Sequence, residues 1–416
     1  MIKEIQPFSY SGSIKAPCSK SYMQRAIAIA CMAQGESKIF GFTKSEDVDV
    51  AINIAKQLGA EIKFEDSILF VQGIAKNVDK MVSINCGEAG LSTRMFSAVS
   101  AVLYQNVQVN GSGSILTRPM DMVIDALTQL DATVHSNNQF LPLTIEGGLH
   151  SGEIEIDGSE SSQLLTGLLI ALPTLNGNSV VHVKNLKSRP YIDMTLEILN
   201  EFGVKIENRA YETFMISGNQ KAKGIEYHCE GDWSGAAFHL VGAAISGSIE
   251  LLGLNANSSQ ADIAILTTLK LAGANVEVYA DSIKASKDKL NCFEFDATQC
   301  PDLFPPIAAL AACCDGTSTI YGVERLIHKE SNRALTIQAE MSKLGIEVTL
   351  NGNAMHIKGG LISGNAISSN SDHRIAMMGA VLASVSSQSI TIMNSEAISK
   401  SYPGFYLDLP KLKSTE

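Results

Sequence analysis

Eight basic residues, Lys20, Arg25, Arg94, Arg118, Lys329, Arg333, Arg374 and Lys400, stand at or beside the starts of small-residue apolar runs rather than in solvent-facing stripes. A helix start offers free N–H groups and about half a positive charge, so added cations suit it to phosphate or carboxylate ligands. Two carboxylates accompany these cations: Asp302 in "CPDLFPP" and Glu330 in "HKESNR". A carboxylate among cations stays ionised, with a lowered pKa that makes it a weaker base. Asp302 is read either as a helix N-cap or as a general base, a role typically worth about 10²–10⁴-fold in rate. His373, in "SDHRIAM", is equally a structural hydrogen-bonder or a ligand. Anions held beside an acid–base pair is the chemistry these residue types allow.

The chain is acidic overall, with a formal charge of −11 over 416 residues. With a Debye length of about 8 Å, distant charge is screened and the local cations decide what binds. Net negative charge and the lack of a Lys/Arg-rich run argue against nucleic acid. No segment approaches the roughly 18 apolar residues of a membrane span, and "MIKEIQPFSYSG" does not read as a signal peptide. The eight scattered cysteines show no CxxC or zinc spacing and read as reduced thiols, so a cytoplasmic protein is expected. "GSGSIL" lacks the third glycine of a dinucleotide loop and no GK[ST] ending occurs, which disfavours nucleotide cofactors. With no exposed apolar stripe, a monomer is expected.

The elements that must position these residues recur. Apolar segments starting at Ser21, Gly90, Ser161, Asp232, Asp302 and Asp372 are spaced about 70 residues apart, a period that marks a structural repeat. They are apolar on nearly every side, which predicts internal helices. Between them, a second helix pattern ends at Gly59, Gly203, Gly273 and Gly345, with Asp131 standing in once. Alternating runs such as "EIEIDG", "VVHVKN" and "SITIMN" read as strands. The expectation is an α/β protein of six βαβαββ units, a three-layer solenoid being the other arrangement considered. The last unit lacks its final strands, and two strand-like runs within residues 1–18 are expected to complete it. Three units would form a continuous domain of 19–230. The other three would form a discontinuous domain, 1–18 plus 231–416, with a hinge near 18 and 230.

With these residues laid out, the chain resembles the 5-enolpyruvylshikimate-3-phosphate synthase family of enolpyruvyl transferases over its whole length. The resemblance rests on "SKSYMQRA", "AGLSTR", "TRPMDM", "SSQLLTGLL", "SRPYIDMT", "PDLFPP", "HKESNR", "DHRIAM" and "SKSYPGF", in order. It implies two globular domains, each of three βαβαββ units with buried parallel helices, closing on a substrate cleft. It implies transfer of the enolpyruvyl group of phosphoenolpyruvate to the 5-hydroxyl of shikimate 3-phosphate, with release of phosphate and no metal or other cofactor. By motif, Lys20, Ser21, Arg25, Ser161, Ser162, Gln163, Ser188, Tyr191, Asp302, Arg325 and Lys329 would face shikimate 3-phosphate. Lys20, Gly90, Arg118, Gln163, Arg333, Arg374 and Lys400 would hold phosphoenolpyruvate. Asp302 would take the hydroxyl proton, and Glu330, helped by Lys20, would protonate the enol methylene.

Five positions depart from the usual family pattern: Cys18, Glu88, Leu91, Arg325 and Asn332. Arg325 offsetting Glu88 is one expectation that follows. Two related enzymes share the repeat: UDP-N-acetylglucosamine enolpyruvyl transferase and an RNA 3′-phosphate cyclase-like enzyme. The first relies on a loop cysteine, and this chain has none between Cys86 and Cys229; the second needs ATP. A non-catalytic anion-binding relative would not require the Asp302–Glu330 pair.

Overall fold

The computed structural model describes residues 1–74, 81–327 and 329–413; His328 of the "HKESNR" run lies outside them. The chain divides into two compact units. One is continuous, Lys20–Cys229; the other is composite, Met1–Ser19 together with Glu230–Glu416.

The continuous unit contains helices α1 (Lys20–Met32), α2 (Glu46–Gln57), α3 (Gly90–Leu103), α4 (Asp121–Gln129), α5 (Gln163–Ala171) and α6 (Pro190–Glu201). The composite unit contains α7 (Trp233–Ser246), α8 (Ile265–Ala272), α9 (Phe304–Ala311), α10 (Arg333–Lys343) and α11 (His373–Ala383). The six apolar runs are therefore α1, α3, α5, α7, α9 and α11, each starting within two residues of the position the spacing marks. They are internal, as their all-round apolarity predicts: in α5 every residue after Gln163 is buried. Within the composite unit α7, α9 and α11 pack on one another, and within the continuous unit α3 packs on both α1 and α5. The approach of α3 and α5 depends on Gly167, where a Cβ would stand 2.7 Å from the Met95 carbonyl oxygen.

Five four-stranded sheets repeat one pattern, and a sixth, of Ala366–Ser368, Ile390–Met393 and Ile2–Ile5, has three strands among the described residues. Met81–Asn85, Asn106–Asn110, Phe140–Glu146 and Thr133–Asn137 lie in that order. The first pair is parallel across α3, and the others are antiparallel after α4. The second helices end where the sequence stops them. Gly59, Gly203, Gly273 and Gly345 all have positive φ, and so does Asp131 at +69°.

The chain ends are shared out differently from the expectation that both N-terminal runs complete the sixth repeat. Only Ile2–Ile5 does so, pairing antiparallel with Ile390–Met393. Ser13–Lys15 instead runs parallel to Ser248–Leu252 and opens the fourth repeat. The reason lies in the strand before α7, Glu226–His228, which pairs parallel with Glu36–Phe40 of the first repeat. That leaves the fourth repeat without an opening strand until Ser13–Lys15 supplies one. The two chain crossings are tied together by a Cys18–Gly231 bridge and by the Ser19 amide, which donates to the Glu230 carbonyl at 2.8 Å.

Candidate active site

In the continuous unit the predicted residues gather at the starts of α1, α3 and α5. Lys20 opens α1, and its Nζ lies 2.7 Å from a carboxylate oxygen of Asp47 in the first turn of α2. Arg25, one turn on, is fully buried. It donates through Nε to the Thr195 hydroxyl (2.9 Å), through Nη1 to the Ser21 carbonyl (2.9 Å), and through Nη2 to Tyr191 O (3.2 Å) and Thr166 (3.4 Å). Four of its five N–H groups are thus engaged, three of them tying α1 to α5 and α6, with the guanidinium 6.0 Å from the centre of the Tyr191 ring. Burial brings its pKa down to about 10. Ser161 accepts from the Gln163 amide at 3.2 Å, and Ser162 and Ser188 are buried beside their helix starts.

Gly90 begins α3 amid a second group. A Cβ there would stand 2.9 Å from Arg118 Nη1, 3.4 Å from Arg94 Nη1 and 3.5 Å from Gln163 Oε1. Arg94 Nη1 donates to that Gln163 oxygen at 3.1 Å. Arg118 is only 7% exposed, yet its Nε and Nη2 have no partner among the described residues, and neither has Arg94 Nε. Burial first, then the nearby Arg118 charge, lowers the Arg94 pKa to about 10. The first turns of α1, α3 and α5 contain no acidic residue, and the N-cap residues of α3 and α5, Ala89 and Ser162, make no side-chain capping bond. Among the departures from the family pattern, Glu88 accepts from the Ser114 hydroxyl (2.9 Å) and amide (3.2 Å) within this unit.

The composite unit holds the acid–base residues in a different setting. Asp302 lies in the tight turn Pro301–Leu303 just ahead of α9 and caps no helix amide there. Three cations surround it: Arg333 Nη1 at 2.9 Å, Arg374 Nη2 at 3.0 Å and Lys329 Nζ at 3.4 Å. Burial alone would raise the Asp302 pKa, but Arg374, then Lys329 and Arg333, hold it well below the ordinary carboxylate value. Lys329 is shifted down by burial, with Asp302 opposing. Arg333 is wholly buried with four of its five N–H groups engaged, its Nε 2.8 Å from Asp372 and its Nη2 2.5 Å from Glu330. Those carboxylates outweigh the burial that would lower its pKa and hold it up.

Arg374 reaches the Ser234 hydroxyl at 2.7 Å through Nη2, and its Nη1 lies 2.5 Å from His373 Nε2. Lys400 Nζ donates to the Ser371 carbonyl at 3.0 Å. Asp372 caps α11 by accepting from the Arg374 amide at 3.0 Å, and Asp232 caps α7 through Gly235. Arg325 is buried in the turn Val323–Leu326, close enough that its charge helps lower the Lys329 pKa. Asn332 serves as the N-cap of α10, accepting from the Leu335 amide at 3.4 Å.

Reading the sequence missed four residues here. Asp47 anchors Lys20, Asp372 pairs with Arg333, and Ser234 and Asp262 stand behind Arg374. Asp372 carried a signal, since a helix-start Asp beside two arginines is a natural partner for one. The others carried none, because their partners lie far along the chain. Among the described residues no cluster of His, Cys, Asp and Glu is arranged to hold a metal ion, and no helix is long and apolar enough to cross a membrane.

Repeated βαβαββ units whose internal helix starts gather cations and an Asp–Glu pair define a class, the enolpyruvyl transferases. Within it, residues 5–409 match the model of the family described as EPSP synthase (3-phosphoshikimate 1-carboxyvinyltransferase), and the chain belongs to that family. It is 36% identical to the 3-phosphoshikimate 1-carboxyvinyltransferase of Clostridium novyi (strain NT), over 98% of this chain and 97% of that protein. Identity is 37% to the enzyme of the same name from Clostridium acetobutylicum, over 98% and 96%. In fold it is similar to EPSP synthase from Acinetobacter baumannii, with a TM-score of 0.82 and 23% identity over 99% of this chain and 98% of that one.

Proposed function

We propose that the chain catalyses the reaction named by its family, transfer of the carboxyvinyl group of phosphoenolpyruvate to the 5-hydroxyl of shikimate 3-phosphate with release of phosphate. Its two compact units are, in this reading, the two domains of that family. The observation that carries it is the family match over residues 5–409, within which the motif residues quoted above all fall.

Lys20, Ser21, Ser161, Ser162, Gln163, Ser188, Tyr191, Arg325 and Lys329 take shikimate 3-phosphate, with Arg25 bracing that wall and offering its one uncommitted N–H. Gly90, Arg118 and Gln163, with Lys20, Arg333, Arg374 and Lys400, take phosphoenolpyruvate. The buried, unpartnered Arg118 nitrogens support this, because an anion there removes the cost of a desolvated donor, about 1–3 kcal/mol for each unsatisfied group. Arg333 contributes mostly through Asp302, Glu330 and Asp372, since four of its five N–H groups are already engaged.

Addition needs a base at the hydroxyl and an acid at the methylene. Asp302 is the base, and its low pKa keeps it ionised but weak. An anion that draws Arg374 off Asp302 makes that carboxylate more basic, so the base strengthens when substrate arrives. Glu330, aided by Lys20, protonates the methylene to give a tetrahedral intermediate, and both groups reverse roles as phosphate leaves. Fixed cations offset the repulsion between the two anionic substrates.

Phosphate release is the test, measured with both substrates and again with each omitted. Release only when both are present supports the reading. Release without shikimate 3-phosphate, or none at all, overturns it.

A further inference from the structure

Behind the Asp302 cluster lies a carboxylate that the mechanism leaves unused. Asp262 sits in the turn Ala261–Ala264, is only 3% exposed, and its Oδ1 has no partner among the described residues. The Ser234 hydroxyl donates to it, while the same oxygen accepts from Arg374 Nη2 at 2.7 Å. That Nη2 also faces Asp302 at 3.0 Å. The two carboxylates therefore share one arginine, Asp302 directly and Asp262 through a serine. We propose that Asp262 is a positioning residue for Arg374, holding it through Ser234 in the resting site and taking up a proton from solvent when an anion engages the guanidinium. The proposal rests on the assignment of Arg374 to phosphoenolpyruvate made above.

The electrostatics fix the sign. Asp262 is faced by Asp302 ahead of α9, Asp232 and Ser234 at the start of α7, Arg374 at the start of α11, and Cys300. Cys300 stays a neutral thiol, its pKa raised by burial and then by Asp262. Burial first, then the Asp302 charge, pushes Asp262 up to about 7, against the opposing pull of Arg374 and Ser234. It is thus part-protonated near neutrality. An incoming anion adds negative charge and occupies Arg374, and both effects raise the Asp262 pKa further. By linkage, the anion binds more weakly as pH rises and Asp262 ionises. The protonated carboxyl can donate to Ser234, leaving Arg374 free to turn toward the ligand.

The test is the KM for phosphoenolpyruvate from pH 6 to 9 in wild type, Asp262→Asn, Ser234→Ala and Arg374→Gln. Wild type is expected to show a rise of about tenfold with an inflection near pH 7, and Asp262→Asn to remove that inflection while changing kcat by less than about threefold. In Ser234→Ala the Asp262 charge loses its donor, so the inflection moves to higher pH. This second variant leaves the buried carboxylate in place and keeps the test valid if Asp262→Asn folds poorly. A purely structural role would change KM without moving the inflection. A wild-type profile superimposable on those of Asp262→Asn and Ser234→Ala overturns the proposal. If Arg374→Gln leaves KM unchanged, the assignment of Arg374 falls, and this proposal with it. An Arg374→Gln rise alongside an unmoved inflection in the other two variants overturns the proposal alone.

Discussion

The two units build helix starts around cations in opposite ways. In the continuous unit Arg94 and Arg118 are buried against Gly90 and Gln163 with guanidinium nitrogens unpartnered, and no carboxylate stands in the first turns of α1, α3 or α5. In the composite unit Asp232 and Asp372 cap α7 and α11, Asp302 precedes α9, and Arg333 is shared by three carboxylates. The shifts follow: burial lowers Arg94, whereas paired carboxylates raise Arg333 and Arg374 despite burial. The Arg94–Arg118 group of the first unit is unsatisfied without a ligand and suited to binding one. In the second, Asp302, Glu330 and Asp372 are paired with Arg333, which suits groups whose protonation has to be controlled.

The sharpest test of that contrast is Asp302→Asn, which removes the proposed base while preserving shape. We expect kcat to fall by about 10²–10⁴ with little change in either KM, because the lost interaction acts in the transition state. A near-normal kcat would take the base away from the composite unit and erase the distinction.

Next in size is a pair of matched substitutions. Arg333→Met should cost about 3–5 kcal/mol of stability, because Asp302, Glu330 and Asp372 lose their shared counter-charge. Arg118→Met should be neutral or stabilising by up to about 1–3 kcal/mol, because a partnerless buried donor set is replaced by an apolar chain of similar length. It should also raise the KM for phosphoenolpyruvate. Denaturant unfolding of both variants decides the matter, and equal losses would show that the two clusters are not built differently.

Within the composite unit, neighbouring carboxylates should give opposite slopes of stability with pH. Asp302 is held below its ordinary 3.8, so the stability it contributes is present above that pH and lost as pH falls through its folded-state value. Asp262 is held up, from 3.8 to about 7, so its penalty grows as pH rises between those values and persists above. Accordingly Asp302→Asn should flatten the loss of stability below about pH 4, and Asp262→Asn should gain relative to wild type above about pH 7. Midpoints measured from pH 3 to 9 that run parallel in all three proteins would remove both assignments.

What could be read from the sequence was whatever repeats locally. Helix starts at Gly90 and Asp372 and stops at Gly59 and Gly273 announce themselves through residue type and spacing, because capping and left-handed φ depend on the backbone nearby. The basic side chains at those starts were legible for the same reason. Ser13–Lys15 was misassigned because a strand of three residues pairs by availability of an edge, and that edge exists only since Glu226–His228 is used elsewhere. The engagement of Arg333 was hidden too: its partners Asp302 and Asp372 lie 31 and 39 residues away, the first at the start of its own repeat and the second on the next. Asp262 in "SSQADIAI" looks like any acidic residue in a first turn, and only burial beside Ser234 and Arg374 gives it a role.

The smallest expected effect probes the unsatisfied cluster most directly. Gly90→Ala places a methyl 2.9 Å from Arg118 Nη1 and slightly farther from Arg94 and Gln163. A flexible guanidinium can yield by a few tenths of an ångström, so the fold should be unharmed, and alanine's helix propensity adds at most about 1 kcal/mol. The displaced guanidinium would no longer sit where it meets an anion at the start of α3. A rise of about tenfold in KM for phosphoenolpyruvate, worth about 1.4 kcal/mol, is expected with kcat nearly unchanged. Gly167→Ala is the control, because there the methyl meets the Met95 backbone at 2.7 Å and helices α3 and α5 cannot separate cheaply. It should lower stability and leave the KM of the folded fraction alone. Unaltered KM in Gly90→Ala would mean that the Arg118 group does not touch the substrate, and the contrast between the units would then be one of packing only.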